Sequence, residues 1–307
     1  MKIIIMSFLF NDFSGWKSYC EDNKVKLFEP VLEYEKDQKG RSETEVWEGL
    51  GRAYAVMKDA VNTGLEEDMT SRSGMINNGA KKVYQNKITV LSKEFQNLIS
   101  RALAAKEVNS CMGRIVAAPT AGASGILPGC LYTLQEIHEF DDKKILEGLL
   151  VGAGIALVIE QKASLAGAVG GCQAETGSAA AMASGAIAYC LGGDIDQVFN
   201  AVAITIQCTL GLVCDPVAGL VEVPCVVRNA SAAAIANSSA QIALSNVSAV
   251  IPVDECVEAM GEVGQSMESR YKETAMGGLA ATKTGQEISK KILIQDIEIL
   301  PDEGPEE

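Results

Sequence analysis

Residues 145–250 are dominated by Ala, Gly, Ser, Val and Ile, with few charges. Such a stretch has no polar face to offer water, so its pieces must be buried against one another. The most apolar runs, 145–159 and 198–213, fall short of the roughly 18–20 residues that span a bilayer. Glu147, Glu160, Gln161, Lys162, Asp194 and Asp196 cut the pattern into helix-length segments. The chain is 48% hydrophobic but only 5% aromatic, so Ala, Val, Ile, Leu and Gly must supply the core. The expectation is an all-α, mainly helical fold: small-residue-rich buried helices in close contact around one central site.

Punctuation places the predicted helices. Pro119, Pro128, Gly170-Gly171, Gly192-Gly193, Pro216 with Gly219, and Pro252 bound helices at 130–139, 142–160, 175–191, 194–213, 227–246 and 254–270. Nearer the N-terminus, apolar periodicity predicts helices at 44–61 and 92–108, the second capped by Ser92. Three turn signals between them make 62–79 a loop. Period-two alternation is best at 292–299 and rare elsewhere, which argues against a parallel sheet. One helical domain is expected over 1–300, with a disordered acidic tail over 301–307.

Charge and composition exclude several function classes. A formal net charge of −14 does not suit a nucleic-acid grip, which needs a cationic face. A single histidine rules out a His-rich zinc site. Nine cysteines cannot all pair within the chain, and the short opening MKIIIMSFLF lacks the form of a secretory signal. Reduced, cytoplasmic cysteines and a protein outside the membrane are expected.

No two cysteines form a C-x-x-C pair, so any one of them reads first as a small buried hydrophobe. Three have unusual surroundings: Cys172 in VGGCQAETG (169–177), Cys214 in LVCDP (212–216) and Cys225 in VEVPCVVRN (221–229). Cys172 and Cys225 fall at predicted helix N-termini, where the macrodipole and free N–H groups favour thiolate. Arg228, one turn beyond Cys225, adds positive charge. Cys190 and Cys208 lie inside helical patterns and read as packing. The segment AAPTAGASGILPG (117–129) reads either as an anion-binding backbone nest or as a plain helix connection. SRSGMINNG (71–79) is a second small-residue loop that reads more simply as a surface turn. GGLAATKT (277–284) mimics a P-loop but lacks its second glycine, and GAGIAL (152–157) lacks the third glycine of a dinucleotide fingerprint. His138 is placed on a helix flank, away from catalysis.

Four motifs in order, APTAGASGILPG (118–129), GGCQAETGSAA (170–180), CDPVAGLVEVPC (214–225) and KETAMGGLA (272–280), resemble the iron–sulfur-dependent L-serine dehydratases. The chain is similar to the alpha chain of their two-chain type, from Asp12 to about Thr284. The cysteine spacing, 41 residues and then 10, makes the resemblance specific. It implies a [4Fe–4S] cluster held by Cys172, Cys214 and Cys225, with one iron open to the hydroxyl of L-serine. Deamination to pyruvate and ammonia would follow, in oxygen-sensitive amino-acid catabolism that feeds gluconeogenesis. It also implies substrate contacts from Ser73, Gly74 and Met75, and from Thr120, Ala121, Gly122, Ala123 and Ser124. Many relatives carry Asn where this chain has Ala121, so a side-chain contact is lost there.

Single-chain relatives include a Ser-Ser-Ser-His-Thr segment whose histidine is a proposed base, and this chain has no such segment. The resemblance therefore implies a base from a separate beta chain in a hetero-oligomer. Other readings are an L-cysteine desulfidase with the same cluster chemistry, a pyridoxal-phosphate dehydratase, and a cofactor-free helical scaffold. No lysine has the context of a Schiff-base site.

Overall fold

The computed structural model describes residues 10–299, with Phe10 first and Ile299 last. The acidic tail and most of the opening apolar run lie outside the described residues. Thirteen α-helices follow one another within them: α1 (Phe13–Asn23), α2 (Phe28–Lys39), α3 (Glu43–Glu66), α4 (Gly79–Gln85), α5 (Lys93–Ser110), α6 (Ile126–His138), α7 (Asp142–Lys162), α8 (Gly167–Gly170), α9 (Ser178–Cys190), α10 (Ile195–Thr209), α11 (Cys225–Leu244), α12 (Val253–Ser266) and α13 (Lys283–Ile299). Among the described residues, β-structure is limited to two isolated bridges, Thr70 with Asn77 and Cys214 with Lys272. The fold is all-α, as the small-residue pattern predicts. No described helix is long and apolar enough to cross a membrane.

α9 is the axis of the molecule. Every residue of SAAAMASGAIAYC is buried, and α6, α7, α10 and α11 pack around it. At Gly185 a Cβ would stand 2.3 Å from Ile155 Cδ1 of α7, so the small residues set the helix spacing. Polar atoms here are satisfied internally: Thr205 Oγ1 of α10 donates to Ser184 Oγ at 2.8 Å. The aromatic residues gather at the N-terminal side. Trp16 stacks on Phe10 at 4.6 Å between centroids, and Phe13 meets Phe199 of α10 edge-on at 5.0 Å. Asp12 caps α1, and Asp254 of α12 accepts from the Phe13 and Ser14 N–H groups at 2.8 and 3.0 Å.

Several sequence expectations need correction. α3 continues through 62–66 because Gly64 is a helix contact: a Cβ there would lie 2.5 Å from the Ala104 carbonyl oxygen of α5. α6 starts at Ile126, four residues early, since Pro128 and Gly129 fit a helical first turn. The alternating segment 292–299 is helical in α13, whose start at Thr282 is capped by its hydroxyl accepting from Gly285 N–H at 3.1 Å. Cys208 is exposed on the outer face of α10, so it is not a packing residue. α1 and α2 escaped the periodicity reading altogether.

Candidate metal and substrate site

The three singled-out cysteines arrive from separate segments. Cys172 follows Gly171, whose φ is +74°, and leads through a π-turn (Gln173–Gly177) into α9. Cys214 sits beyond α10 in extended chain: its N–H donates to the Tyr271 carbonyl at 2.8 Å, and its carbonyl accepts from Glu273 N–H at 3.0 Å. Cys225 is the first residue of α11. All three are free thiols; Cys172 and Cys214 are buried and Cys225 half-buried. Burial raises all three pKa values, that of Cys225 to about 12, and the Cys172 charge further raises Cys214 and Cys225. The expected helix-dipole preference for thiolate is thus overridden by desolvation and mutual repulsion.

Two cations border the thiols. Arg228 hydrogen-bonds Cys172, donates to the Val213 carbonyl at 2.9 Å and pairs with buried Asp215 at 2.9 Å. Asp215 also accepts from Leu279 N–H at 2.7 Å, tying the segment after Cys214 to the 278–281 turn. Lys106 of α5 is fully buried, and its ammonium donates to Asn109 at 2.6 Å and to the Val221 carbonyl at 2.8 Å. Burial lowers its pKa to about 8, against the fields of Cys225, Glu222 and Glu175.

Both small-residue loops reach this region. Ala121–Ala123 form one 3₁₀ turn before α6. Asn229 of α11 holds that turn: it donates to the Gly122 and Cys225 carbonyls at 2.8 Å each and accepts from Gly125 N–H at 2.9 Å. Ala121 is exposed, Gly122 half-buried and Ala123 buried, and the Thr120 and Ser124 hydroxyls are buried without a well-aligned hydrogen-bond partner. In the 71–79 loop, Ser73 Oγ donates to Glu222 at 2.5 Å and accepts from Met75 N–H at 3.0 Å. Ser71 Oγ donates to the same Glu222 oxygen at 2.7 Å. Glu222 therefore clamps this loop to the segment between Cys214 and Cys225. Gly74, with φ of +74°, makes the exposed tip, and Met75 is half-buried. His138 ends α6 in solvent, stacked on Phe140.

The structure adds residues the motifs contain but the sequence reading passed over. Glu175, Glu273 and Cys214 each place one ligand atom within 4.8 Å of the others. Burial is the main reason the Glu175 pKa is raised; the Thr120 hydroxyl beside it works the other way. Glu175, Glu222 and Glu273, like Asp215, are acidic residues within small-residue motifs, the one signal that marks them in the sequence.

A profile described as "Serine dehydratase alpha chain" matches residues 22–280. The chain belongs to the serine dehydratase alpha chain family. It is 43% identical over 277 residues to the L-serine dehydratase alpha chain of Peptoniphilus asaccharolyticus, covering 89% of this chain and 95% of that one. It is 38% identical over 275 residues to a probable L-serine dehydratase alpha chain of Bacillus subtilis, covering 89% and 91%. Against the L-serine dehydratase of Streptomyces coelicolor, 38% identity runs over 81% of this chain but 56% of that protein. For this family member the cysteine trio is the chemically distinctive part of the site. Three free cysteines from three segments, with Arg228 and Lys106 near them, are the soft, thiophilic donors of the site.

Proposed function

We propose that this chain is the catalytic alpha subunit of an L-serine dehydratase, converting L-serine to pyruvate and ammonia in partnership with a beta chain. Cys172, Cys214 and Cys225 would hold a [4Fe–4S] cluster. When bound, that cluster supplies a Lewis-acidic position for the substrate hydroxyl. The observation that carries the reading is the family match over residues 22–280, a span that contains three free cysteines from three segments with Arg228 and Lys106 near them.

This chain's residues supply binding and order. The 120–124 turn offers backbone N–H groups and the Thr120 and Ser124 hydroxyls to the substrate, and Asn229 fixes that turn to the start of α11. Ser73 commits its proton to Glu222, so towards substrate it acts as an acceptor, with the Gly74 and Met75 backbone beside it. Arg228 and Asp215 keep Cys172 and Cys214 in register. Removal of the α-proton falls to the beta chain.

Anaerobic purification of the two-chain enzyme tests this directly. Expected are iron and sulfide in equal amounts, a brown colour that bleaches in air, and ammonia release from L-serine. Cys214→Ala should lose colour and activity together. A colourless wild-type enzyme, or full turnover by the Cys214→Ala variant, would sink the proposal.

A further inference from the structure

Four helices leave a cleft of about 410 Å³ between them. α3 contributes Leu65 and Glu66, α4 Lys81 and Tyr84, α5 Arg101, and α6 Tyr132 and Glu136. Arg101 and Lys106 are five residues apart on α5, which sets them about 140° apart around its axis. Lys106 reaches the Val221 carbonyl, in the segment before Cys225, whereas Arg101 reaches Thr133 and Glu136 of α6. No residue of the cysteine and loop site lines the cleft.

Arg101 is the buried member of this lining, only 5% exposed. Its Nη1 donates to Thr133 Oγ1 at 3.1 Å and its Nη2 to Glu136, a carboxylate half in solvent. Among the described residues these two are the acceptors for its five N–H groups, and Nε is enclosed without one. A guanidinium this buried is ordinarily bonded more fully, so Arg101 has donors to spare. The other cation, Lys81, is spent on Asp68 at 2.9 Å and on the Glu66 carbonyl at 3.2 Å. The Glu66 carboxylate is in the opposite state: it is exposed, and among the described residues it has no ion pair and accepts no hydrogen bond. Lys93 lies over the Tyr84 ring and Arg101 over the Tyr132 ring, at 4.5 and 4.4 Å from the centroids. Neither phenol hydroxyl has a hydrogen-bond partner among the described residues. The cleft thus combines an under-bonded buried cation, an unpaired carboxylate at the surface, and apolar area from Leu65 and two rings.

We propose that this cleft binds a free α-amino acid with an apolar side chain, its carboxylate on Arg101, its ammonium on Glu66 and its side chain against Leu65 and the tyrosine rings. A carboxylate brings acceptor oxygens to the guanidinium, and an alkylammonium brings three N–H donors to the free acid. A plain anion would meet repulsion from Glu66 and Glu136, and a plain amine from Arg101 and Lys81. A ligand carrying both charges answers both sets at once. A cleft of this volume has room for an amino acid with a large side chain. The site is separate from the cysteines and does not rest on the lyase reading above.

Titration calorimetry on the anaerobically prepared two-chain enzyme tests this with three probes: L-phenylalanine, 3-phenylpropionate, which lacks the ammonium, and phenethylamine, which lacks the carboxylate. L-phenylalanine should bind at one site per alpha chain, about tenfold or more tighter than either analogue. Glu66→Gln, a change at an exposed position, should weaken that binding by about fivefold or more. Arg101→Lys keeps the charge but loses the planar fork, and should weaken it by at least as much. Circular dichroism checks that Arg101→Lys is folded, and if it is not, Glu66→Gln decides alone. Absence of binding to wild type at millimolar L-phenylalanine overturns the assignment. Binding that Glu66→Gln leaves unchanged also overturns it, by putting the ligand elsewhere. Equally tight binding of either analogue does so too, by making the cleft a site for a plain anion or a plain amine. Binding is read directly, so each outcome stands whether or not the enzyme turns over L-serine.

Discussion

At the scale of single residues, Lys106 carries the sharpest consequence. It is a fully buried lysine whose pKa falls from the ordinary 10.5 to about 8, chiefly by desolvation. Below pH 8 the native metal-free chain holds a buried cation that the unfolded chain would hydrate. Between pH 8 and 10.5 the native state has released this proton while the unfolded state keeps it, so this residue makes stability rise with pH across that window. Raised cysteine pKa values act oppositely there, so the difference between wild type and Lys106→Met isolates the lysine. Urea unfolding from pH 7 to 10 should show wild type gaining on the variant by about 2–3 kcal/mol, and a constant difference would contradict it. The three cysteines stand out in the sequence because each sits in a contiguous motif of glycine, proline and small residues. Lys106, Glu222 and Asn229 do not, since a lone polar residue among small ones does not say what it faces. Their meanings come from contacts more than 100 residues away, Lys106 with Val221, Ser73 with Glu222, and Asn229 with Gly122.

At the scale of elements, the small residues decide how closely helices approach. Periodicity located α7, α9, α10, α11 and α12 within a few residues, because the segments between Gly and Pro are long enough to show a helical repeat. It failed where a glycine serves packing instead of turning. Gly64 lies inside α3, facing the Ala104 backbone, and its neighbours Asn62 and Thr63 made it look like a turn. An added methyl would stand 2.5–2.8 Å from backbone atoms of Ala104, which cannot rotate aside as a side-chain tip can. Gly64→Ala should therefore push α3 from α5 and destabilise the chain by about 1–3 kcal/mol despite alanine's better helix propensity. Gly51→Ala, on the same helix with nothing within 4 Å of its Cβ position, should be neutral or stabilising. Equal chemical-denaturation midpoints for the two variants would contradict this account. α5 also carries Lys106 and packs against α11, which starts at Cys225, so this spacing bears on the site.

At the scale of the whole molecule, the helical bundle positions the cysteine-bearing segments and the small-residue loops and keeps its single histidine apart from them. The chain's single histidine, His138, ends α6, the helix whose other end abuts the 120–124 turn. Twelve residues of helix separate Ile126 from His138, about 18 Å along the axis, and the imidazole is exposed and stacked on Phe140. A base must come within hydrogen-bond reach of the proton it removes, so this distance takes His138 out of the chemistry. The match covers 56% of the length of the Streptomyces coelicolor enzyme. In the two-chain enzyme, His138→Gln should leave kcat/KM for L-serine within about twofold of wild type, the modest effect of a surface change. The alpha chain alone, with iron and sulfide restored anaerobically, should stay brown yet release no ammonia until the beta chain is added. Turnover by the isolated, loaded alpha chain would place the base among its own residues, with half-buried Glu175 and buried Lys106 the first to substitute.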